Sequence, residues 1–374
     1  MQLKLKTSEF KEMVAKATKG ASVDNNFYIS QLMSITLHDN VLELITTDMT
    51  NYLYVKKDKV AGDDFSVVVP VDKFSKLISK LTCEDVVLEV VEKDDELAKL
   101  VVKGNGKYEI ELPYDEEGDL VEFPDPAEGC DVTDWSETEI NLSTVHLILS
   151  TAKAALMTSN EAPCYTGYYC GDRIVATDTF KICGIDVQMF DEPKLIPVEL
   201  MDLLELMTEE KIKVLYNEDT FIFSTKGVEV FGHVLEGIEE FQIEPISALL
   251  DEKFGSSCKV EKSTLMQMID RIALFVDVFD KNSVYLTFTK EGLEVSSKKD
   301  SGAEIIPYKE STKFKPYTCC LDIELFKTQV KASPSDVVEI LYGKEGSIKF
   351  VDGNTKQILA LADDDREENE DDEE

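Results

Sequence analysis

The residues best able to do chemistry in this chain are two aspartates that follow threonines, and one cysteine with a distant histidine. Asp48 and Asp178 each come after a predicted strand, where a carboxylate could be catalytic or could accept hydrogen bonds from the backbone of a turn. Because the Thr-Asp pair recurs at similar places in two similar segments, we favour the turn. Cys170 and His233 could form a thiol and base pair, but no flanking signature accompanies them.

The sequence lacks the short motifs of common catalytic sites. It has no Gly-rich phosphate loop, no GxSxG or HExxH motif and no zinc-ligand spacing. Eight scattered cysteines without a CxxC pair indicate reduced thiols in a cytoplasmic protein. No apolar run is long enough to span a membrane, and residues 1–4 contain no signal core. We therefore expect no catalytic residue, metal or cofactor. An enzyme of unrecognised type is one alternative, and it would need His, Cys and carboxylates clustered in one cleft.

Charge is distributed unevenly along the chain. The net charge is −36, and the C-terminal segment 363–374 alone has ten acidic residues and one arginine. We expect this segment to be a disordered tail, because it has no apolar anchor. The segment 115–139 has eleven acidic residues and no basic one. Such a protein repels polyanions unless its basic residues are concentrated on one surface.

The elements that must position these residues follow a long internal repeat. The same register of polar positions, Ser and helically spaced apolar residues occurs over 5–17, 140–152 and 260–272. The offsets of 135 and 120 residues match whole domains rather than solenoid units of about 20–50 residues. A second amphipathic helix follows in each repeat, within 72–81, 199–207 and 324–332. The sequence therefore predicts six helices.

Strand-like segments lie between the helices. Alternating and β-branched residues occur, for example, over 41–47, 211–216 and 337–342. Hairpin-length gaps between most of them favour antiparallel sheets, so we expect an α+β fold. We predict three similar domains over 1–126, 127–248 and 249–362, followed by the tail. The segments 123–129 and 236–245 close the first and the second domain.

Basic residues are concentrated on five of the six predicted helices. Lys73, Lys76 and Lys80 follow i, i+3, i+7 spacing, which places them on one face, opposite Phe74 and Ile78. A solvated face is the alternative for any single helix, but its repetition favours a phosphate-binding surface. No arginine cluster or aromatic platform suited to bases is present, so we expect sequence-independent contact with duplex DNA. The candidate DNA-facing residues are Lys11, Lys16, Lys19, Lys73, Lys76, Lys80, Lys153, Lys262, Arg271, Lys327 and Lys331.

One segment points to a known family. Residues 174–182, Ile-Val-Ala-Thr-Asp-Thr-Phe-Lys-Ile, resemble the val-ala-thr-asp-gly-his-arg-leu segment of bacterial sliding clamps, the beta subunits of DNA polymerase III. Segments 134–135, 165–167 and 196–198 match other parts of that family, and the resemblance covers about 1–362. It implies the DNA clamp fold, in which each of three domains contains two βαβββ units and two chains close a ring.

The resemblance also implies a function. Sliding clamps are non-catalytic processivity factors that encircle duplex DNA and bind the replicative polymerase and the clamp loader through a short peptide motif. The chain would then be a homodimer, with edge strand 65–69 or 99–102 as a possible contact. A clamp-fold interaction scaffold or inhibitor that does not encircle DNA is the alternative. We interpret the chain as a divergent clamp, with a phage or mobile element as one possible source.

The family binds partner peptides in a pocket between its second and third domains. Carried over onto this sequence, the pocket would be formed by Tyr165, Thr177, Thr179, Phe180, Lys181, Ile182, Ile238, Gln242, Ile243, Ile358, Leu359, Ala360 and Leu361. Two departures alter it. The family's gly-his-arg is replaced by residues 179–181, and its met-pro-met-arg-leu ending is replaced by residues 360–362 and the acidic tail.

Overall fold

The computed structural model describes residues 1–22, 27–93, 96–127, 129–276, 282–299 and 301–363. Apart from Asp363, the predicted tail 363–374 lies outside these residues. The helices in the described part are α1 Thr7–Ala17, α2 Val71–Lys80, α3 Leu142–Thr151, α4 Val198–Leu204, α5 Ile243–Asp251, α6 Lys262–Ile272 and α7 Ile323–Ala332. None of them is long and apolar enough to cross a membrane.

The strands of the first half of the chain are β1 Gln2–Lys6, β2 Leu32–His38, β3 Val41–Thr47, β4 Tyr52–Lys57, β5 Phe65–Pro70, β6 Asp85–Lys93, β7 Glu96–Lys103, β8 Lys107–Glu111, β9 Ser136–Asn141, β10 Gly167–Cys170, β11 Ile174–Thr177 and β12 Lys181–Ile185. Those of the second half are β13 Lys194–Pro197, β14 Lys211–Tyr216, β15 Thr220–Thr225, β16 Val228–His233, β17 Ser256–Glu261, β18 Ser283–Phe288, β19 Leu293–Ser297, β20 Ala303–Ile306, β21 Glu310–Thr312, β22 Tyr317–Asp322, β23 Val337–Tyr342, β24 Ser347–Asp352 and β25 Thr355–Ala360.

The order of elements repeats one unit six times. A strand, a helix and three strands follow one another, first as β1-α1-β2-β3-β4 and last as β22-α7-β23-β24-β25. The six predicted helices are confirmed as α1, α2, α3, α4, α6 and α7, and the α+β class is confirmed as well. Helix α5 and strand β21 stand outside this pattern. The domain limits 1–126, 127–248 and 249–362 remain a prediction from the repeats.

The chain divides into two compact units. The first unit contains residues 1–145 and 199–234. It has an eight-stranded sheet of order β5-β2-β3-β4-β16-β15-β14-β9 and a four-stranded sheet of order β1-β6-β7-β8. Phe10 of α1 packs edge-on against Phe74 of α2, with ring centroids 6.0 Å apart, and both rings are buried. Helices α1 and α2 are therefore joined through their apolar faces.

The second unit contains residues 146–198 and the chain from 235 onward. Its nine-stranded sheet has the order β13-β10-β11-β12-β25-β24-β23-β17-β21, and its four-stranded sheet has the order β20-β19-β18-β22. Helices α6 and α7 bury their apolar residues, including Ile269 and Phe326, in one core with strands of both sheets. Asp322 caps α7, because its side chain accepts hydrogen bonds from the backbone N–H groups of Glu324 and Leu325.

Helix α5 begins at Ile243, within the segment 236–245 that was expected to close the second domain. One expectation about local structure is wrong. The segment 99–102 was expected to be a possible sheet edge, but it lies in β7, which pairs with β6 on one side and β8 on the other. The edges of that sheet are β1 and β8, whereas the alternative segment 65–69 does lie in an edge strand, β5.

Candidate functional site

The two Thr-Asp pairs form equivalent turns. Asp178 Oδ1 accepts hydrogen bonds from the backbone N–H groups of Phe180 and Lys181, at 3.0 and 2.7 Å. Asp48 Oδ1 accepts the corresponding bonds from Thr50 and Asn51, at 2.9 and 2.7 Å. These bonds hold the carboxylates in the turns as backbone acceptors. The turn interpretation is confirmed.

The candidate thiol is not reactive. Cys170 is completely buried, and burial raises its pKa well above the ordinary value of a thiol. Burial likewise raises the pKa of Cys183 and Cys258 to about 12. Because the thiolate is the nucleophile, these side chains are inert at neutral pH. All eight cysteines lie within the described ranges, and none of them forms a disulfide there.

In the second unit, backbone pairing joins two strands that carry predicted pocket residues. Strand β12 pairs with β25, so that Lys181 lies opposite Leu359 and Ile182 opposite Ile358. The pairing continues one residue further, where the backbone N–H of Ala360 donates to the carbonyl of Phe180 at 2.9 Å. The structure thus places the segment 180–182 beside the segment 358–360.

Several predicted pocket residues meet in one apolar cluster, which we call the β12–α5 cluster. Its buried members are Cys164, Tyr169, Val175, Ile182, Leu195, Phe241, Ile246, Leu250 and Ile358, and its partly buried members are Tyr165, Leu235, Ile238 and Ile243. Phe241 contacts Tyr165 edge-on and stacks on Tyr169, with ring centroids 5.1 and 5.2 Å away. Phe241, which was not among the predicted pocket residues, therefore packs within this cluster.

Other predicted pocket residues lie elsewhere. Lys181 is buried and points away from Ile182, since neighbouring side chains of a strand lie on opposite faces. Its ammonium donates to the carbonyl of Ala154 at 2.7 Å and pairs with Asp178 at 3.1 Å. Leu359 belongs to the core of α6 and α7, and Leu361 packs against that core. Lys181, Leu359 and Leu361 are therefore held outside the β12–α5 cluster.

Three further predicted pocket residues differ in how exposed their side chains are. Phe180 is 61% exposed, which is unusual for a side chain of its size. Gln242 is exposed just before α5, and its side-chain amide donates to the carbonyl of Glu240. Thr177 is buried, and its hydroxyl donates to the carbonyl of Lys181. Phe180 is the apolar side chain among these that an incoming partner could cover.

Lysine side chains of the sheet bind helix α5 near its C-terminus. The ammonium of Lys349 donates to the carbonyls of Leu250 and Glu252, at 2.8 and 2.6 Å. Burial lowers the pKa of Lys349 from its ordinary value. Asp251 accepts a hydrogen bond from Lys356 at 2.9 Å, and this bond lowers the pKa of Asp251. Cations at this end also complement the helix dipole, so α5 is held in place over the cluster.

Thr179 is strained in the turn beside Phe180. Its φ is 77°, a left-handed conformation that β-branched residues avoid and that glycine adopts freely. We predict that Thr179→Gly raises the free energy of unfolding by about 1 kcal/mol, because it relieves this strain. Urea denaturation measures the change, provided that the free energy of unfolding depends on urea concentration with the same slope in both proteins. Thr177→Ala is the matched control and should lower stability by about 1–2 kcal/mol, because it removes a buried hydroxyl bonded to Lys181. A loss of stability in Thr179→Gly would show that the backbone of Thr179 is not strained.

The candidate DNA-facing residues differ in how exposed their side chains are. On α2, Lys73, Lys76 and Lys80 are exposed, while Phe74 and Ile78 on the opposite face are fully buried. The predicted amphipathic geometry of this helix is therefore confirmed. Lys11 on α1 is half-buried, and Lys19 is exposed in the turn that follows.

Several of the candidates are already paired within the described part of the chain. Lys16 pairs with Glu12, Lys76 with Asp72 and Lys327 with Asp270, and Arg271 donates to Glu304 at 2.8 Å. The ammonium of Lys262 donates to the carbonyl of Ser333 at 2.6 Å, at the end of α7. In the six helices of the repeat, basic residues exceed acidic residues by only two. These helices are thus close to neutral in a chain of net charge −36.

Three lysines of the second unit border one groove. Its volume is about 490 Å³, and Lys153, Lys327 and Lys331 line it together with Glu324 of α7. Lys153 and Lys331 are exposed. This groove brings together candidates that the sequence placed on two different helices.

Comparisons with known proteins identify the fold. No family model matches the sequence, and no curated protein matches it. The DNA polymerase beta subunit of Streptococcus pyogenes matches with a TM-score of 0.84 and 14% identity, over 97% of this chain and 100% of that chain. The DNA polymerase sliding clamp of Bacillus subtilis matches with a TM-score of 0.80 and 16% identity, over 97% and 99%. The DNA polymerase III beta subunit of Thermotoga maritima matches with a TM-score of 0.79 and 17% identity, over the same shares.

These similarities define the class of structure. The chain has the fold of the bacterial DNA polymerase sliding clamps over nearly its whole length. The expected clamp fold is thus confirmed. The low identity agrees with the expectation of a divergent chain, since 13–17% of residues are shared with the clamps it matches.

Proposed function

We propose that this protein is a DNA sliding clamp, a non-catalytic and cytoplasmic processivity factor that encircles duplex DNA and tethers a replicative polymerase. The observation that carries the proposal is the match of 97% of the chain to sliding clamps, with all six βαβββ units in order. A ring can close only if every repeat that forms its wall is present. Loading would need an ATP-driven loader in trans, because the sequence has no nucleotide-binding loop.

Ring closure requires a homodimer, and exposed apolar residues support one. Leu274 is 81% exposed and Phe275 53% exposed, directly after α6. Phe275 lies against Gly302, just before β20, an edge strand whose Ile305 is also exposed. In the first unit, the edge strand β8 carries the exposed Tyr108. We infer that β8 of one protomer meets β20 of its partner, which covers both edges.

Contact with DNA in this proposal is weak and independent of sequence. Lysines that have no ion pair among the described residues, such as Lys73, Lys80 and Lys331, would neutralise about one phosphate each. Encirclement removes the need for tight binding, so a nearly neutral helical layer is compatible with sliding. Native mass by light scattering at micromolar concentration tests the ring directly. The proposal expects twice 42.0 kDa, and a stable monomer would contradict it.

Partner proteins would bind at the β12–α5 cluster through a short peptide motif. We predict that Phe180→Asp weakens binding of a synthetic peptide carrying the clamp-binding motif by at least about tenfold, because an anchoring aromatic contact is lost. Fluorescence anisotropy measures the affinity. Val132→Asp, an exposed apolar position in the first unit, is the control and should leave it unchanged. Equal affinities of the wild-type protein and Phe180→Asp would place the peptide elsewhere.

The second candidate is a clamp-fold scaffold or inhibitor that does not encircle DNA. The observation in its favour is the pairing of Lys16, Lys76, Arg271 and Lys327 with acidic neighbours, which reduces the positive charge that the helices offer. This candidate predicts a protein that never becomes linked to circular DNA. The clamp proposal predicts the opposite.

A further inference from the structure

The β12–α5 cluster shares a face of the sheet with the exposed side chain of Phe180. The strand ladder extends to Phe180, since its carbonyl accepts a hydrogen bond from the backbone N–H of Ala360. Side chains two residues apart on a strand share a face, so Phe180 lies on the face of Ile182, a buried member of the cluster. A partner segment that covers Phe180 therefore also contacts the surroundings of the cluster.

Acidic residues border this cluster on the side of α5. The segment 236–244 contains four acidic residues and no basic one. A Cβ atom at Gly237 would lie 3.6 Å from Cβ of Cys164 and 3.9 Å from Oε2 of Glu240. Burial and then the carboxylate of Glu240 raise the pKa of the Cys164 thiol. The exposed Glu240 is therefore close to a buried member of the cluster.

Two further carboxylates lie near Tyr169. Burial raises the pKa of the Tyr169 hydroxyl, and the carboxylates of Asp172 and Glu244 raise it further. Both acidic residues are exposed, and Tyr169 stacks on Phe241 within the cluster. Negative charge thus reaches the cluster from two parts of the chain, the segment 236–244 and the turn before β11.

Three cations near the cluster already have acidic partners. Lys181 lies on the opposite face of β12 and pairs with Asp178 at 3.1 Å. Arg173 and Lys356 lie at the C-terminal end of α5, where they pair with Asp251 at 3.0 and 2.9 Å. These cations therefore leave the negative charge at the start of α5 in place.

We propose that the partner segment bound at the β12–α5 cluster carries lysine or arginine residues beside its apolar anchors, and that these face Glu239, Glu240 and Glu244. The inference rests on the proposed function, in which a short peptide motif binds here. Charge complementarity selects a basic segment, because an acidic one would meet like charges. The sequence directly after β25 adds to this selection, since residues 363–374 contain ten acidic residues and one arginine.

The test titrates the full-length protein with two fluorescein-labelled peptides and measures anisotropy. Both peptides contain the same clamp-binding motif, which is flanked on each side by two lysines in one peptide and by two glutamates in the other. The lysine-flanked peptide should bind at least tenfold more tightly at low ionic strength. This preference should become smaller in high salt, because exposed charges are screened.

Two double variants locate the charges that set the preference. Glu240→Lys/Glu244→Lys should reverse it, so that the glutamate-flanked peptide binds more tightly. The matched control Glu291→Lys/Asp336→Lys makes the same charge change at exposed positions of the same unit outside the cluster, and it should keep the preference within about twofold. Circular dichroism melting verifies that both variants fold.

Equal affinities of the two peptides for the wild-type protein would overturn the proposal, and so would equal changes of preference in the two double variants. Phe180→Ala distinguishes this failure from failure of the proposed function. If the affinities are equal but Phe180→Ala weakens both, the peptide site is correct and its charge preference is wrong. If Phe180→Ala weakens neither, the peptide site and the proposal both fail.

Discussion

Replacing Leu274 and Phe275 by aspartate is expected to convert the protein from a dimer of twice 42.0 kDa into a monomer of 42.0 kDa. Both side chains are largely exposed in the single chain, and covering each of them contributes about 1.5–3 kcal/mol. The substitutions remove this contribution and place carboxylates where the partner would bury them. We expect the dissociation constant of the dimer to rise at least about 100-fold. Light scattering across a dilution series measures it.

The control for this prediction is Leu249→Asp, which introduces the same charge at an exposed apolar position of α5. It should leave the dimer intact. The monomer formed by the double variant should keep the melting temperature of each unit, because neither side chain belongs to a core in the single chain. A dimer of unchanged stability in the double variant would exclude this surface as the ring interface.

Charge reversal on α2 has the second large expected effect. Lys73→Glu, Lys76→Glu and Lys80→Glu together change the local charge by six and turn a basic stripe into an acidic one. Retention on DNA should fall at least about tenfold, and the salt dependence of binding should become shallower by up to about 0.9 per lost phosphate contact. Stability should change little, because all three side chains are exposed.

The matched control reverses two lysines on the sheet of the same unit. Lys211 and Lys213 lie on β14, where they pair with Glu139 and Glu137. Lys211→Glu/Lys213→Glu should leave DNA retention within about twofold, although it breaks two exposed ion pairs. If both variants lose DNA equally, overall charge rather than the face of α2 governs the contact.

The fold was largely predictable because helix positions and strand alternation are local signals. Phe74 and Ile78 were correctly placed in a core from their spacing alone. The match to clamps persists at 13–17% identity because a core tolerates many apolar substitutions when its volume and pattern are kept. Which strands pair with each other depends on residues that are far apart in the sequence. The segment 99–102 has the pattern of a strand, but only pairing on both sides shows that it is no edge.

Helix α5 was missed although its signal is in the sequence. Ile243, Ile246 and Leu250 follow helical spacing and pack on the β12–α5 cluster. Pro245 favoured a domain boundary, but it lies in the first turn, where a proline costs no hydrogen bond. Phe241 precedes this helix and packs in the cluster, but it was not among the predicted pocket residues.

Whether a basic residue is paired with another group of the chain could not be predicted from its spacing in the sequence. Whether Arg271 is available to a phosphate depends on Glu304, which is 33 residues away and lies on a different element. The ammonium of Lys262 likewise donates to a carbonyl at the end of α7. Counting charges on helices therefore overstated the positive surface, because tertiary partners neutralise part of it.

Topological linkage to DNA distinguishes a closed ring from a scaffold that binds DNA by charge or not at all. The protein is mixed with linear duplex so that rings can thread over the ends, and ligase then closes the duplex into a circle. Gel filtration in about 1 M salt, where the Debye length is about 3 Å, removes molecules held by charge alone. A closed ring stays on the circles and is released when a restriction enzyme reopens them. Equal loss from closed circles and linear duplex would contradict encirclement and favour the scaffold.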